Sequence, residues 1–353
     1  MMTGVTSWTV RNVPVAGSRF AFFPSMGEYP VYDDGVYDAF AAPGDRNRGY
    51  ADAIRAAAPG RVVLDIGTGR DALWAIAAAR AGARHVYAVE AQAAAAQQAT
   101  RAVARAGLGD SVTVLAGDST SVRLPRPAEV CVSEIVGNIA SAEGAIAVLA
   151  DARARLCAGD CVWIPFRMQT WAAAVDLSRL GPPALAAESL PYLHAVFAAA
   201  GGPFDLRLCL AGPVTETVVS SAAVVESVVF DGRRDPPTAD ALTVADLRLE
   251  VPGARPTGLL LWARVAPSAS GREIDTLTGD GRGWAPVYVP LPAAPADRFR
   301  VGFERRTSDD GRHPDYAVTV DGTPAWAGPH HGGGFRATAF YRDLFSSPGP
   351  SGP

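Results

Sequence analysis

Read for its pattern of apolar and polar positions, the chain changes character near residue 165. Before that point short apolar runs alternate with longer stretches of helical period. Arg61 to Asp65 is a brief apolar run that ends at a glycine-rich turn, the mark of a buried parallel strand. Ala72 to Ala81 follows as a helix, and Gly82 stops it. His85 to Glu90 reads as the second strand, and Ala91 to Ala106 as an alanine-rich helix ending at Gly107. Val112 to Ala116, Glu129 to Ser133 and Asp160 to Ile164 supply three further strands. Strands alternating with helices predict an α/β unit with a doubly wound, mostly parallel sheet.

After Pro165 the segments are short, rich in Val, Leu and aromatic residues, and punctuated by Gly, Pro and Asp. Thr217 to Val229, Leu242 to Val251, Gly258 to Val265, Val287 to Leu291, Phe299 to Glu304 and Tyr316 to Val320 are the clearest. They predict an antiparallel β-sandwich or barrel. The leading segment, Ser7 to Phe40, is aromatic and irregular, and a helix containing Arg46, Tyr50, Ala53 and Ile54 connects it to the first strand. The expected division is an N-terminal helical and aromatic segment over 1–58, the parallel unit over 59–165 and the β-rich unit over 166–345. A Ser, Gly and Pro tail over 346–353 is expected to be disordered.

Composition narrows the class. With 48% hydrophobic and 19% charged residues in 353, the chain has the make-up of a globular protein of two domains. A net charge of −4 argues against a nucleic-acid partner, which asks for a basic face. Met1 to Val10 has neither a basic start nor an apolar core, and the alanine-rich runs carry Arg and Gln, so neither a signal peptide nor a membrane partner is expected. Cys131, Cys157, Cys161 and Cys209 form neither a disulfide framework nor a zinc pattern and read as free thiols of a cytoplasmic protein. His330 and His331 beside Gly332 read as an exposed loop, and no metal is expected.

The turn Asp65-Ile66-Gly67-Thr68-Gly69-Arg70-Asp71-Ala72 lies between a strand and a helix, where glycines admit close approach of a ligand to the backbone. Glu90 ends the next strand, with Ala91 after it, where a carboxylate can take both hydroxyls of a ribose. The turn alone fits a dinucleotide as well as S-adenosylmethionine. Asp71 would repel a pyrophosphate, whereas the sulfonium ligand carries no phosphate. Gly117-Asp118-Ser119 closes the third strand, where an acid can reach an adenine amine, although Asp118 also suits a turn or helix cap. The combination favours S-adenosylmethionine in a Rossmann-like fold.

The stretch Ser133-Glu134-Ile135-Val136-Gly137-Asn138 to Glu143-Gly144 follows the fourth strand, at the sheet edge where ligands bind. Gly137 lets the loop fold back so that Glu134 and Glu143 face one site, a pair suited to gripping a guanidinium or ammonium group. Solvated loop charge is the plain alternative for either one. This loop resembles the double-glutamate loop of the protein arginine methyltransferases, and Arg46, Tyr50, Ala53 and Ile54 resemble that family's Arg-Thr-x-x-Tyr-x-x-Ala-Ile helix. The resemblance implies that Arg46 binds the cofactor's methionine carboxylate and that the segment before it covers the cofactor. It extends loosely to the β-rich half, where Gly283-Trp284 stands at the family's Thr-His-Trp loop and Gly283 replaces the histidine. Tyr32, with Tyr29 nearby, stands where the family has a further histidine.

These departures predict a rebuilt substrate pocket, with Trp284 and Asn138 lining it and Tyr29 and Tyr32 beside Glu134 and Glu143 at the reacting centre. The cofactor pocket is expected from Arg46, Asp65, Gly67, Thr68, Gly69, Glu90, Ala91, Gly117, Asp118, Ser119 and Glu134. Nitrogen methylation of a small guanidine- or amine-containing molecule in specialised metabolism is the first expectation. Methylation at carbon three of an indole is the alternative, and a non-catalytic binding module is the third. Leu190 to Pro213 reads as a shortened helical arm of the kind through which that family dimerises, so a homodimer or higher homo-oligomer is expected.

Overall fold

A computed structural model of the chain describes residues 21–26, 34–180, 184–185, 206–212, 214–231, 239–278, 284–328 and 330. The elements run β1 (Ala21–Met26), α1 (Asp34–Ala41), α2 (Asp45–Ala57), β2 (Val62–Ile66), α3 (Leu73–Arg80), β3 (His85–Glu90), α4 (Ala93–Arg105), β4 (Val112–Ala116), β5 (Ala128–Ser133), α5 (Ala145–Arg155) and β6 (Cys157–Ile164). The β-rich half continues with β7 (Arg167–Val175), β8 (Ala184–Leu185), β9 (Leu206–Ala211), β10 (Ala223–Val229), β11 (Ala241–Arg248), β12 (Gly258–Ala266), β13 (Ile274–Asp275), β14 (Val287–Pro290), β15 (Arg298–Thr307), β16 (Pro314–Val320) and β17 (Thr323–Gly328).

Five strands in the order β4-β3-β2-β5-β6 pair in parallel. Helices α2 to α5 pack on them, and every residue of β2 is buried, which is why that strand is apolar throughout except for Asp65 rather than alternating. The chain steps outward from β2 to β4 and then returns to β5 on the other side of β2. The switch point therefore falls between β2 and β5, and a crevice opens at their carboxyl ends.

The second half, joined by β1, forms two further sheets, β10-β7-β12-β14-β9-β1-β8 with β13 on β12, and β11-β15-β16-β17. Leu259, Leu261 and Val287 of the first share one core with Phe303, Tyr316 and Trp326 of the second. The described strands thus make a sandwich of two open sheets, and the barrel alternative does not hold. Met168, Val228, Phe230, Ala263 and Val265 join Trp163 and Ile164 in the core of the parallel unit, so the two halves share apolar surface.

Several expectations are revised. β1, in the segment expected to cover the cofactor, pairs with β9 and extends the larger sheet. Leu206–Ala211, expected in a helical arm, is β9, and residues 190–205 lie outside the described residues. β7 is not predicted, because Ala172, Ala173 and Ala174 carry no strand signal; pairing with β10 and β12 on both sides makes it a central strand, and its alanines are fully buried. Cys131, Cys157, Cys161 and Cys209 are free thiols, as expected. No helix among the described residues is long and apolar enough to cross a membrane.

Candidate functional site

The turn after β2 is shaped by two glycines in the left-handed region, Gly67 at φ 74° and Gly69 at φ 65°. A methyl group on Gly69 would meet the ring of Tyr37, from α1, at 3.3 Å, so the covering helix sits directly on the turn. Arg70 holds its guanidinium 4.9 Å above the same ring, and burial, then the charge of Glu90, pushes the Tyr37 hydroxyl up to about 12. Ala72 takes the left-handed conformation before α3 at φ 47°, a strained choice for a residue with a side chain.

Behind the turn Asp65 is wholly buried and accepts a 2.6 Å hydrogen bond from the Thr68 hydroxyl. Burial pushes its carboxyl up to about 7, against the opposing pull of Thr68 and the Ala75 amide. The folded protein therefore holds this proton more tightly than the unfolded chain does, and Asp65 costs stability as pH rises from about 4 through about 7. Asp65→Asn should remove that loss, on the order of 4 kcal/mol in full. Denaturant melts of both proteins at pH 5 and pH 8 test this, and parallel pH dependence in the two would refute it.

Glu90, at the end of β3, accepts the Gly69 and Gln92 amides at 2.9 Å through its two oxygens, which fixes its carboxylate at the rim of the crevice. Asp118 accepts from the Thr120 amide and hydroxyl and from Arg312, which arrives from the β-rich half. Burial works against its charge, but Thr120 and Arg312 hold its carboxyl down at about 2.

The crevice encloses a cavity of about 220 Å³. Its wall brings together Arg46, Gly67, Thr68, Gly69, Glu90, Ala91, Gly117, Asp118, Ser119, Glu134, Glu143 and Trp284, all singled out in the sequence. Asp65 and Asn138 are not on the wall. Asp65 sits behind Thr68, and Asn138 donates from its amide to the Ala285 carbonyl at 2.5 Å, tying the loop to the β-rich half. Tyr29 and Tyr32 lie outside the described residues, as does Gly283.

The loop after β5 doubles back tightly at Gly137. A Cβ there would lie 2.8 Å from Ala142 Cβ and 3.1 Å from the Ile139 carbonyl oxygen, so only glycine fits. Trp284 braces the same loop by donating its indole N–H to the Val136 carbonyl at 2.5 Å. Gly137→Ala should displace the two glutamates and lower turnover roughly ten- to a hundredfold. Steady-state kinetics would show it, and an unchanged rate would mean that the loop geometry is not needed.

Glu134 forms an ion pair with Arg46 of α2. That guanidinium also donates to the Phe40 carbonyl and the Asn47 amide oxygen at 3.0 Å, with Phe40, Trp74 and Trp284 around it at 5.0, 5.7 and 5.6 Å. Glu143 lies near enough to Tyr50 for its charge to add to burial in raising that hydroxyl's pKa. Sequence reasoning missed Tyr37, Phe40, Trp74 and Arg312 on the wall. The first two fall in the aromatic segment, whereas nothing local points to Arg312. Five wall carboxylates, Asp71, Glu90, Asp118, Glu134 and Glu143, face two arginines, Arg46 and Arg312. That balance suits a cationic sulfonium and opposes a pyrophosphate.

Residues 53–157 match the family model for ribosomal protein L11 methyltransferase (PrmA). Over 81 residues the chain is 44% identical to a probable histone-arginine methyltransferase CARM1 of Oryza sativa subsp. indica, covering 23% of this chain and 15% of that one. Over 117 residues it is 40% identical to protein arginine N-methyltransferase PRMT10 of Oryza sativa subsp. japonica, covering 33% and 30%. It therefore spans less than a third of the length of these curated relatives. The crystal structure of Arabidopsis thaliana protein arginine methyltransferase 10 superposes with a TM-score of 0.60 at 19% identity, over 82% of this chain and 95% of that one. The Trypanosoma brucei PRMT1 enzyme-prozyme heterotetramer with AdoHcy gives 0.58 at 17% identity, over 78% and 89%. Residues 53–157 thus resemble a methyltransferase core, and the chain has the fold of the solved protein arginine methyltransferases.

Proposed function

We propose that the protein transfers a methyl group from S-adenosylmethionine to a nitrogen of a small guanidine- or amine-containing molecule. The observation that carries this reading is the meeting of Glu134 and Glu143 on the wall of the cavity that also holds the glycine turn and Glu90. The bound cofactor supplies an already activated methyl group, so the protein has only to orient the nucleophile and exclude water. Arg46, paired with Glu134, would turn in part to the cofactor's carboxylate, and Glu90, fixed by the Gly69 amide, would hold its ribose hydroxyls. Glu134 and Glu143 would accept hydrogen bonds from the substrate's guanidinium or amine and turn the reacting nitrogen toward the methyl carbon. As the new N–C bond forms, the methyl–sulfur bond would break and release S-adenosylhomocysteine. The nitrogen gives up one proton, before attack if it is an ammonium and during it if it is a guanidinium, and Glu143 would accept that proton.

A second reading, methylation at carbon three of an indole, draws on the aromatic wall of Tyr37, Phe40, Trp74 and Trp284, against which a flat ring can pack. There a glutamate would accept the ring N–H. Methyl-labelled S-adenosylmethionine offered with free arginine, arginine peptides, small amines and indoles separates the readings. Label on free arginine or an amine is the expected result. Label confined to arginine peptides would move the substrate to proteins, and label on indole would establish the second reading. Bound cofactor without any turnover would leave a binding module. The same proposal places the protein in the cytoplasm, in specialised metabolism, as a homo-oligomer; sedimentation at several concentrations tests the last point.

A further inference from the structure

We propose that Arg312, carried by the β-rich half, sets how strictly the cavity reads the adenine base of the cofactor. The inference rests on the S-adenosylmethionine reading above, with Asp118 as the acceptor for the adenine amine. Arg312 acts through that carboxylate and is a positioning residue.

Asp118 lies two residues beyond β4, and its carboxyl, held at about 2, stays ionised at neutral pH and only accepts hydrogen bonds. Its Oδ1 accepts the Thr120 amide at 2.9 Å and the Thr120 hydroxyl at 2.6 Å, which fills that oxygen. Among the described residues Oδ2 accepts one bond, from Arg312 at 2.5 Å. A carboxylate has about four lone-pair sites, so one is left, on Oδ2. Both side chains line the cavity, and Asp118 and Arg312 are 35% and 33% exposed, which leaves that site open to a ligand.

A turn of fixed shape delivers the guanidinium. Arg312 lies between β15 and β16, where Asp310 Oδ1 accepts the Arg312 and His313 amides at 2.8 and 2.9 Å and the Ser308 hydroxyl at 2.8 Å. Gly311 takes the left-handed conformation at φ 71°, and the Ser308 amide closes the turn on the His313 carbonyl at 2.9 Å. His330, read from its neighbouring glycines as part of an exposed loop, is in fact buried, and its ring stacks on His313 with centroids 4.1 Å apart. From this turn the Arg312 stem crosses Gly144, the residue after Glu143. A Cβ on Gly144 would lie 2.5 Å from Arg312 Cγ and 3.1 Å from Cδ, so the glycine gives the stem its passage to Asp118.

The two lone pairs of Oδ2 then have different tasks. Adenine offers an amine, which donates to the open one. A 6-oxo purine offers a carbonyl instead and leaves the carboxylate facing another acceptor. That mismatch is costly only while water is kept from replacing the lost bond. Arg312 occupies the other lone pair and walls that flank. Without the guanidinium, water reaches Oδ2 and supplies the missing bond.

Calorimetry of the full chain with S-adenosylhomocysteine and its 6-oxo analogue, S-inosylhomocysteine, tests this. The wild type should prefer the adenosyl form by roughly ten- to a hundredfold, the worth of one hydrogen bond to a charged group. Arg312→Met keeps the stem over Gly144, removes the guanidinium and should shrink the preference to within about threefold. Arg312→Lys restores the charge and should recover part of it. Asp118→Asn should abolish it, because Thr120 holds the amide oxygen and an N–H then faces the base. A purely structural role for Arg312 would weaken both ligands alike, so an unchanged ratio in Arg312→Met overturns the proposal. Asp118→Asn with its preference intact does so equally, whether or not Arg312→Met folds, and so does a wild type without preference. A wild type that binds neither compound would overturn the cofactor reading itself.

Discussion

Glu134→Gln should cut turnover by about 10²- to 10⁴-fold while leaving the affinity for S-adenosylhomocysteine within a few-fold of normal. The substitution keeps the shape of the side chain and removes only its charge. On the reading above, that charge grips the nucleophile, and losing a group that acts on proton and charge at the reacting centre costs about 10²–10⁴. Arg46 would keep its bonds to Phe40 and Asn47 and its place among Phe40, Trp74 and Trp284, so its own position should survive. Cofactor binding by calorimetry and single-turnover methyl transfer separate the two effects. A variant that methylates at the normal rate would remove Glu134 from the chemistry. One that fails to bind cofactor would instead make the Arg46–Glu134 pair part of the cofactor site.

Most of the cavity could be read along the chain because its parts are local. The glycine turn and the glutamate loop each begin one residue after a strand, Glu90 ends another, and the strands themselves are largely apolar runs. What escaped depends on side chains distant in sequence. Arg312 reaches Asp118 across 194 positions, and the indole of Trp284 reaches Val136 across 148. Asn138 shows the limit from the other side. Its place between the two glutamates suggested a pocket residue, yet the amide turns to Ala285 because the β-rich half packs against the back of the loop. His330 was read as exposed from its neighbouring glycines, but the stacked ring of His313 and the carboxylate of Asp310 bury it. β7 is illegible for a related reason: its alanines carry no strand preference, and it is held as a strand by pairing with β10 and β12, which are distant in sequence.

The same distance effect predicts that Glu226, far from the cavity in sequence, controls the glutamate loop. This carboxylate is buried on β10 and accepts from Ser141 at 2.5 Å and Thr170 at 2.7 Å, and it pairs with the buried Arg305. The Thr170 hydroxyl accepts the Ala140 amide at 3.0 Å, and Tyr316 meets Ser141 at 2.7 Å, so two successive residues between Glu134 and Glu143 hang from one buried charge pair. Glu226→Leu should destabilise the protein by about 3–5 kcal/mol, since it strands the Arg305 guanidinium in the core. Adding Arg305→Met removes the stranded charge and should recover much of that stability. The double variant still lacks the acceptor for Ser141 and Thr170, so its turnover should stay roughly tenfold or more below normal while its melting midpoint returns toward wild type. Recovery of both would make the pair a stability element alone, and recovery of neither would mean that apolar packing cannot replace it. Stability without turnover is the outcome that identifies this network as the support of the two glutamates.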